Sequence, residues 1–84
     1  MLPGDKLNAA QCRMARAALR LGIRELAVVA QVSPTSITNL ERGDSLHLRT
    51  IQAIRQALEA QGIVFIEENG GGPGVRLAGS GSPG

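Results

Sequence analysis

Side chains capable of acid–base or nucleophilic chemistry are scarce in this sequence. It holds one histidine, His47, and one cysteine, Cys12. Its carboxylates form no pair that would frame a catalytic cleft. A single cysteine excludes an internal disulfide and most metal frameworks, and its usual role is that of a small buried apolar residue. We therefore predict that the protein is not an enzyme and that it holds neither a metal nor another cofactor.

The glycine-rich stretch at 67–74 is a second place where ligand chemistry could reside. It lacks the lysine and the hydroxyl residue of a phosphate-binding loop, and a strand-like run follows it where that motif has a helix. We predict a structural turn at this position and expect no small-molecule ligand.

Arginine side chains offer a third chemistry, the binding of a polyanion. The net charge is only +2, but eight of the nine lysine and arginine residues precede residue 62, whereas Glu67 and Glu68 follow it. A polyanion should therefore meet the front part of the chain. Phe65 is the only aromatic residue, so the stacking surfaces that read single-stranded nucleic acid are lacking. These observations argue against an RNA-binding platform.

Length and composition are those of one small folded domain. A chain of 84 residues with 43% hydrophobic residues can bury one modest core. No run approaches the roughly 20 apolar residues of a membrane span, and the start lacks the pattern of a signal peptide. We expect a cytoplasmic protein without a membrane partner.

Helical periodicity divides the first 62 residues into four helices. Asn8 followed by Gln11 has the spacing of a capping box and predicts a helix over 9–19. A second helix follows over 23–30. Ser33 and Pro34 together are a strong start signal for a third, which runs to about residue 41. After the next loop, a fourth helix ends at Gly62, and its apolar residues recur at helical intervals: Ile51, Ile54, Ala57 and Leu58.

Beyond residue 62 the hydrophobic period changes from helical to strand-like. Residues 63–66 form a short apolar run of strand formers, and 75–77 alternate as a second strand. A lone two-stranded hairpin is marginal in water, so these strands must pack on the helices or pair with another chain. Pairing across a two-fold axis would cover the open strand edge. We expect a homodimer that uses Ile63, Val64, Phe65, Ile66, Val75 and Leu77.

One stretch of the chain, from Leu19 to Gly43, resembles the Cro/C1-type helix-turn-helix regulators, also called the XRE family. The similarity extends more loosely from Gln11 to Leu58. It is carried by Leu26-Ala27, Val32-Ser33, Ile37 and Leu40-Glu41-Arg42-Gly43. The resemblance implies a mostly α fold: a four-helix lambda-repressor-like domain over 1–62, followed by a short β dimerisation element over 63–78 and a disordered tail over 79–84. The strand-turn-strand ending is similar to that of a subset of very small regulators in this family.

The resemblance implies a function and a set of site residues. The protein would be a transcription regulator that binds double-stranded DNA as a homodimer on a near-palindromic operator, with the third helix in the major groove. It places Arg16 and Glu41 in a structural ion pair. Base contacts would come from Pro34, Thr35, Thr38 and Asn39, of which asparagine can pair bidentately with adenine. Phosphate contacts would come from Ser36, Arg42, Arg49, Arg24 and Arg20. Apart from the resemblance, the polar residues of the third helix would be interpreted first as the solvated face of an amphipathic helix.

The chain departs from the family pattern at three places, and an alternative function would use the altered start of the second helix together with Val28 and Val29 as its contact surface. Gly22 and Ile23 stand where the second helix normally opens with a hydroxyl cap and a glutamine that touches phosphate. Gln31 stands where the turn usually has glycine, at a cost on the order of 1 kcal/mol if the site is left-handed. Val28 and Val29 add apolar surface that could face a partner. The alternative is a protein-interaction module, such as an antiactivator or antitoxin-like partner, and a second regulatory protein remains a possible partner in either case. We expect Arg13 and Arg55 to be solvated surface residues.

Overall fold

The computed structural model describes residues 7–67 and 70–78. They form four helices and a two-stranded antiparallel sheet, so the prediction of a mostly helical chain with a C-terminal strand pair is confirmed. The elements are α1 (Ala9–Leu19), α2 (Ile23–Ala30), α3 (Pro34–Arg42), α4 (Leu48–Ala60), β1 (Ile63–Ile66) and β2 (Gly74–Leu77). The expected tail at 79–84 lies outside the described residues.

Local hydrogen bonds explain where α1 and α3 begin. Asn8 Oδ1 accepts a hydrogen bond from the Gln11 amide at 2.7 Å, and Gln11 Oε1 accepts one from the Asn8 amide at 3.2 Å. Ser33 Oγ accepts from the Ser36 amide at 3.1 Å, with Pro34 in the first turn of α3. These bonds satisfy amides that no helical carbonyl reaches. Both starts agree with the sequence prediction.

Helix α2 begins without a capping side chain on its first flanking residue and ends at a non-glycine residue in a left-handed conformation. Gly22 offers no capping side chain, but Glu25 Oε1 reaches back and accepts from the Gly22 amide at 2.5 Å. At the other end Gln31 has φ 59° and ψ 44°, and Arg20 at the end of α1 has φ 59°. Both are left-handed conformations that glycine adopts without cost. Gly43, which ends α3 at φ 93°, is the residue type expected there.

The core lies between the four helices. The largest side chains with no solvent exposure are Leu26 from α2, Ile37 from α3, and Ile54 and Leu58 from α4, together with Cys12 from α1. Helix α3 packs on α1, α2 and α4, and so it is supported from three sides. None of the helices in the part of the chain that the structure describes is long and apolar enough to cross a membrane.

The two strands pair with each other within one chain. Ile63 lies opposite Leu77, and Phe65 lies opposite Val75. Ile63 and Phe65 are buried in the helical core, which differs from the expectation that they lie at a dimer interface. The strand alternates, so burying one face against the helices leaves Ile66 exposed at 41% of its surface, and Val64 half-buried.

Gln11 joins the sheet to α1. Its Nε2 donates to the main-chain oxygens of Ile66 and Gly74, each at 3.2 Å. These two residues face each other at the end of the ladder. One side chain therefore caps the helix with its oxygen and holds the sheet with its nitrogen.

Arg55 is not a solvated surface residue, and that expectation was wrong. It is 7% exposed, and its guanidinium lies over the Phe65 ring at 4.6 Å from the ring centroid. Its Nε donates to Glu59 Oε2 at 3.1 Å, one turn further along α4. The arginine is buried because β1 folds back over α4 and brings the aromatic ring to it.

Candidate nucleic-acid interface

The candidate site is the outward side of α3. Ile37 and Leu40 face the core and fix the helix on its supporting elements. Consequently Pro34, Thr35 and Thr38 are exposed, and Asn39 is half-buried towards the helix end. The four residues expected to contact bases therefore belong to one short helix whose apolar side is buried in the core.

An ion pair fastens the end of this helix to α1. Arg16 Nε lies 2.6 Å from Glu41 Oε2, and Arg16 Nη2 lies 2.7 Å from Glu41 Oε1. Arg16 Nη1 also donates to the main-chain oxygen of Leu21 at 3.2 Å, in the connection between α1 and α2. Arg13 donates to the main-chain oxygen of Glu41. The bidentate pair accounts for an arginine on the inward side of α1, and it sets the position of α3 relative to both preceding helices.

Cys12 belongs to the same cluster. Its thiol donates to Glu41 Oε2 at 3.2 Å. Burial, this hydrogen bond and the nearby carboxylate charge raise the pKa of the Cys12 thiol to about 12. The thiol is therefore protonated at neutral pH, and it acts as a buried hydrogen-bond donor.

Burial perturbs the pKa of Glu41 in one direction, and hydrogen bonds and neighbouring charges perturb it in the other. Burial raises the pKa of the Glu41 carboxyl, but the hydrogen bonds from Arg16 and Cys12 and the positive charges of Arg16 and Arg13 outweigh it. The pKa of Glu41 consequently lies below its ordinary value. The hydrogen bond to Glu41 raises the pKa of Arg16, against the opposing effect of burial. The pair is charged at neutral pH.

A second polar cluster lies at the exposed end of α3. Arg42 Nη2 donates to Asn39 Oδ1 at 2.7 Å and to Asp44 Oδ2 at 2.7 Å. Arg42 Nε donates to the same Asp44 oxygen at 3.0 Å. Arg42, expected to contact phosphate, is thus paired with an acid two residues further on.

The remaining residues expected at phosphates are distributed over three helices. Arg24 lies near the start of α2, Arg49 near the start of α4 and Arg20 at the end of α1, and all three are exposed. Ser36 Oγ lies 3.1 Å from Ser33 Oγ within the cap of α3. The structure thus brings Asn39 and Arg42 into direct contact and leaves three arginines as separate exposed cations.

Two features of the site escaped the sequence analysis. The first is Asp44, which pairs with Arg42; the close spacing of Asn39, Arg42 and Asp44 around a helix-ending glycine is the signal that could have indicated it. The second is Glu25, which replaces the missing cap of α2 and lies three residues after Gly22. Within 7–67 and 70–78, no three His, Cys, Asp or Glu side chains are grouped as metal ligands would be.

Helix α2 carries two exposed apolar residues. Val28 on α2 is 77% exposed, and Val29 is 40% exposed.

Comparison of the chain with protein-family models gives no match, and comparison with curated proteins gives none either.

Proposed function

We propose that this chain is a sequence-specific double-stranded-DNA-binding transcription regulator with a lambda-repressor-like helix-turn-helix fold. The observation that carries the proposal is the short α3, fully supported on its apolar side, with polar side chains of base-reading types on its exposed side. The pattern of residues from Leu19 to Gly43, which resembles the Cro/C1-type regulators, supports the same assignment. In this proposal α3 enters the major groove.

The exposed chemistry of α3 suits the edges of base pairs. Threonine offers a hydroxyl that donates or accepts and a methyl group that can meet the methyl of thymine, and asparagine offers an amide. Thr35 and Thr38 lie on the exposed side of the helix, and Asn39 follows them. A helix of this kind can enter a major groove because the groove admits one α-helix.

Cations from neighbouring helices supply the proposed backbone contacts. Arg24 lies in the first turn of α2, Arg49 in the first turn of α4 and Arg20 directly after α1, and all three of these helices pack on α3. Arginine matches phosphate oxygens because its planar donors can bind two of them together. Such contacts position the helix, whereas α3 would determine the sequence that is bound.

The sheet provides the proposed dimer contact. Ile66 and Leu77 are apolar side chains with exposed fractions of 41% and 48%. Ile66 and Val64 lie on the sheet face that points away from the helices, whereas Leu77, opposite the buried Ile63, is accessible at the end of the other face. A two-fold dimer through these side chains would present two copies of α3 to successive major grooves about 34 Å apart on a near-palindromic site.

Selection of duplexes from a random DNA pool tests the proposal. We expect enrichment of a near-palindromic sequence, with an affinity that falls steeply as salt is added, because phosphate contacts release counterions. Asn39→Ala should weaken binding to the selected duplex about tenfold and leave binding to random duplex nearly unchanged. Gln56→Ala, which removes an exposed amide from α4, is the matched control and should change neither. Absence of any enriched sequence, or equal losses on selected and random DNA, contradicts the proposal.

The exposure of Val28 favours one alternative, a protein-interaction module that uses the same fold. A valine that is 77% exposed beside another exposed valine is suited to a partner's apolar surface. The sequence holds no tryptophan or tyrosine, so co-purified nucleic acid would dominate the ultraviolet spectrum of the protein. A spectrum free of nucleic acid, together with no retention on heparin, would favour the interaction module.

A further inference from the structure

The hydrogen bond between Arg42 and Asn39 fixes which way the Asn39 amide faces. A guanidinium has only donors, so the atom that it meets must be the amide oxygen. Asn39 Oδ1 lies 2.7 Å from Arg42 Nη2 and is therefore occupied. The amide nitrogen, Nδ2, is left as the group available to a ligand. Among the residues that the structure describes, no side chain or main-chain oxygen accepts from it.

Asp44 in turn holds Arg42 in place. Its Oδ2 accepts from both Nε and Nη2 of the arginine, at 3.0 and 2.7 Å. Both hydrogens of Nη2 are thereby committed, one to Asp44 and one to Asn39, while Nη1 keeps its two donors. The guanidinium cannot turn away from Asn39 without losing its pairing with the acid.

The backbone places the acid where this pairing requires it. Gly43 adopts φ 93°, and the turn it makes lets the Asp44 amide donate to the main-chain oxygen of Asn39 at 2.9 Å. The Gly43 amide donates to the oxygen of Leu40 at 3.0 Å. Because the same residue that carries the acid is bonded to the main chain of Asn39, the three side chains form one closed cluster at the end of α3.

We propose that the cluster of Asp44, Arg42 and Asn39 makes this end of α3 a donor-only reader that selects guanine over adenine. The inference rests on the proposed DNA-binding function and specifies the base that it recognises. Guanine presents two acceptors, N7 and O6, in the major groove, whereas adenine presents one acceptor and an amino donor. Asparagine reads adenine only when its oxygen is available to accept from that amino group. Here the oxygen is occupied, and an adenine would place its donor against the donors of Asn39 and Arg42.

Asp44 acts as a positioning residue in this scheme, because it orients the reading groups through Arg42. Its carboxylate also carries a negative charge into a region that would lie near phosphates. Removal of the charge should therefore strengthen binding to random duplex and at the same time weaken discrimination between bases. A residue with a purely structural role would lower both together.

The experiment compares the DNA sequences that are selected by the full-length wild-type chain and by three variants. Asn39→Ala identifies the base pair that Asn39 reads, since the preference at that position should disappear. At this base pair the wild type should prefer guanine over adenine by about tenfold, and Asp44→Asn should reduce the preference to about twofold. Glu67→Gln removes an exposed carboxylate from a site beyond β1 and should leave the preference unchanged. Thermal unfolding of each variant, followed by circular dichroism, shows whether the fold is retained.

Modified bases then test which atoms are read. Replacing the selected guanine by 7-deazaguanine removes the N7 acceptor and should weaken binding about tenfold, whereas inosine keeps N7 and O6 and should bind as guanine does. An adenine at the Asn39 position, or the same preference in Asp44→Asn as in Glu67→Gln, overturns the inference while DNA binding stands. Failure to enrich any duplex sequence overturns the DNA-binding function itself, and the guanine preference with it.

Discussion

Arg16 and Glu41 show at the scale of single residues how a charged pair can determine a fold. The carboxylate accepts from two side chains of α1 and closes the end of α3 onto that helix. Its pKa lies below the ordinary value because those donors stabilise the charged form more than burial destabilises it. The pair was expected because the resemblance implies it. The hydrogen bond from Cys12 to Glu41 could not be predicted from the sequence, since the partner of a thiol depends on tertiary contacts.

The lowered pKa of Glu41 predicts how stability depends on pH. A carboxyl whose pKa is lower in the folded protein stabilises it above the unfolded pKa, near 4.5, and this stabilisation is lost as the pH falls below that value. Glu41→Gln leaves Arg16 without a counter-charge, and we expect it to cost about 3 kcal/mol of unfolding free energy at neutral pH. The difference between wild type and variant should shrink in acid.

Urea unfolding at neutral pH and below pH 4.5 measures the stability loss of Glu41→Gln and its reduction in acid. Glu67→Gln is the control, since its carboxyl is exposed and its loss should change stability by no more than about 0.5 kcal/mol at either pH. A Glu41→Gln protein as stable as the wild type at neutral pH would show that the pair contributes nothing net to the fold.

At the scale of elements, the boundaries of helices and strands were the most predictable part of the structure. The starts of α1 and α3 follow from Asn8 and Ser33, whose side chains cap them as their spacing indicates. The start of α2 was harder to predict from the sequence because its cap comes from Glu25, inside the helix. Arg55 was misjudged because its burial depends on β1, which contacts α4 only after the chain has turned back.

The turn between α2 and α3 carries backbone strain at Gln31. Its φ of 59° is a conformation in which a side chain is crowded and glycine is not. Gln31→Gly should therefore raise the free energy of unfolding by about 1 kcal/mol, as measured by urea denaturation. A loss of stability would contradict the assignment of strain to this residue.

Gly43 offers the reciprocal control for this substitution. It has φ 93°, and a Cβ built on it meets no atom within 4 Å, so Gly43→Ala introduces backbone strain without a steric clash. We expect the Gly43→Ala variant to lose about 1 kcal/mol of unfolding free energy. Opposite signs at the two turns would isolate the conformational contribution from changes in packing.

At the scale of the whole molecule, the sheet has one buried and one accessible side. The sequence left open whether the strands pair within one chain or between two, because an apolar run with an open edge satisfies both. The structure pairs them within the chain and uses Ile63 and Phe65 in the core. The proposed dimer contact is accordingly reduced to the apolar side chains that stay accessible.

Ile66→Lys tests that contact. A lysine in place of an exposed isoleucine should be tolerated by the protomer and should disrupt a two-fold contact, where two like charges would meet. We expect the wild type to sediment as a dimer and the variant as a monomer, with weaker binding to a two-half-site duplex and unchanged binding to a single half-site. Val28→Lys, on α2, is the control and should remain dimeric. A monomeric wild type that still binds the palindromic duplex tightly would exclude this mode of association.

The amide of Gln11 has a consequence for chains that are cut. The Gln11 amide donates to one main-chain oxygen from each strand. Strand β2 is therefore held by α1 and by its pairing with β1 as well as by the covalent turn. Cleavage between the exposed glycines 70 and 71 should leave the strand seated. The cut chain should therefore keep its fold as two pieces that stay associated without a covalent link between β1 and β2.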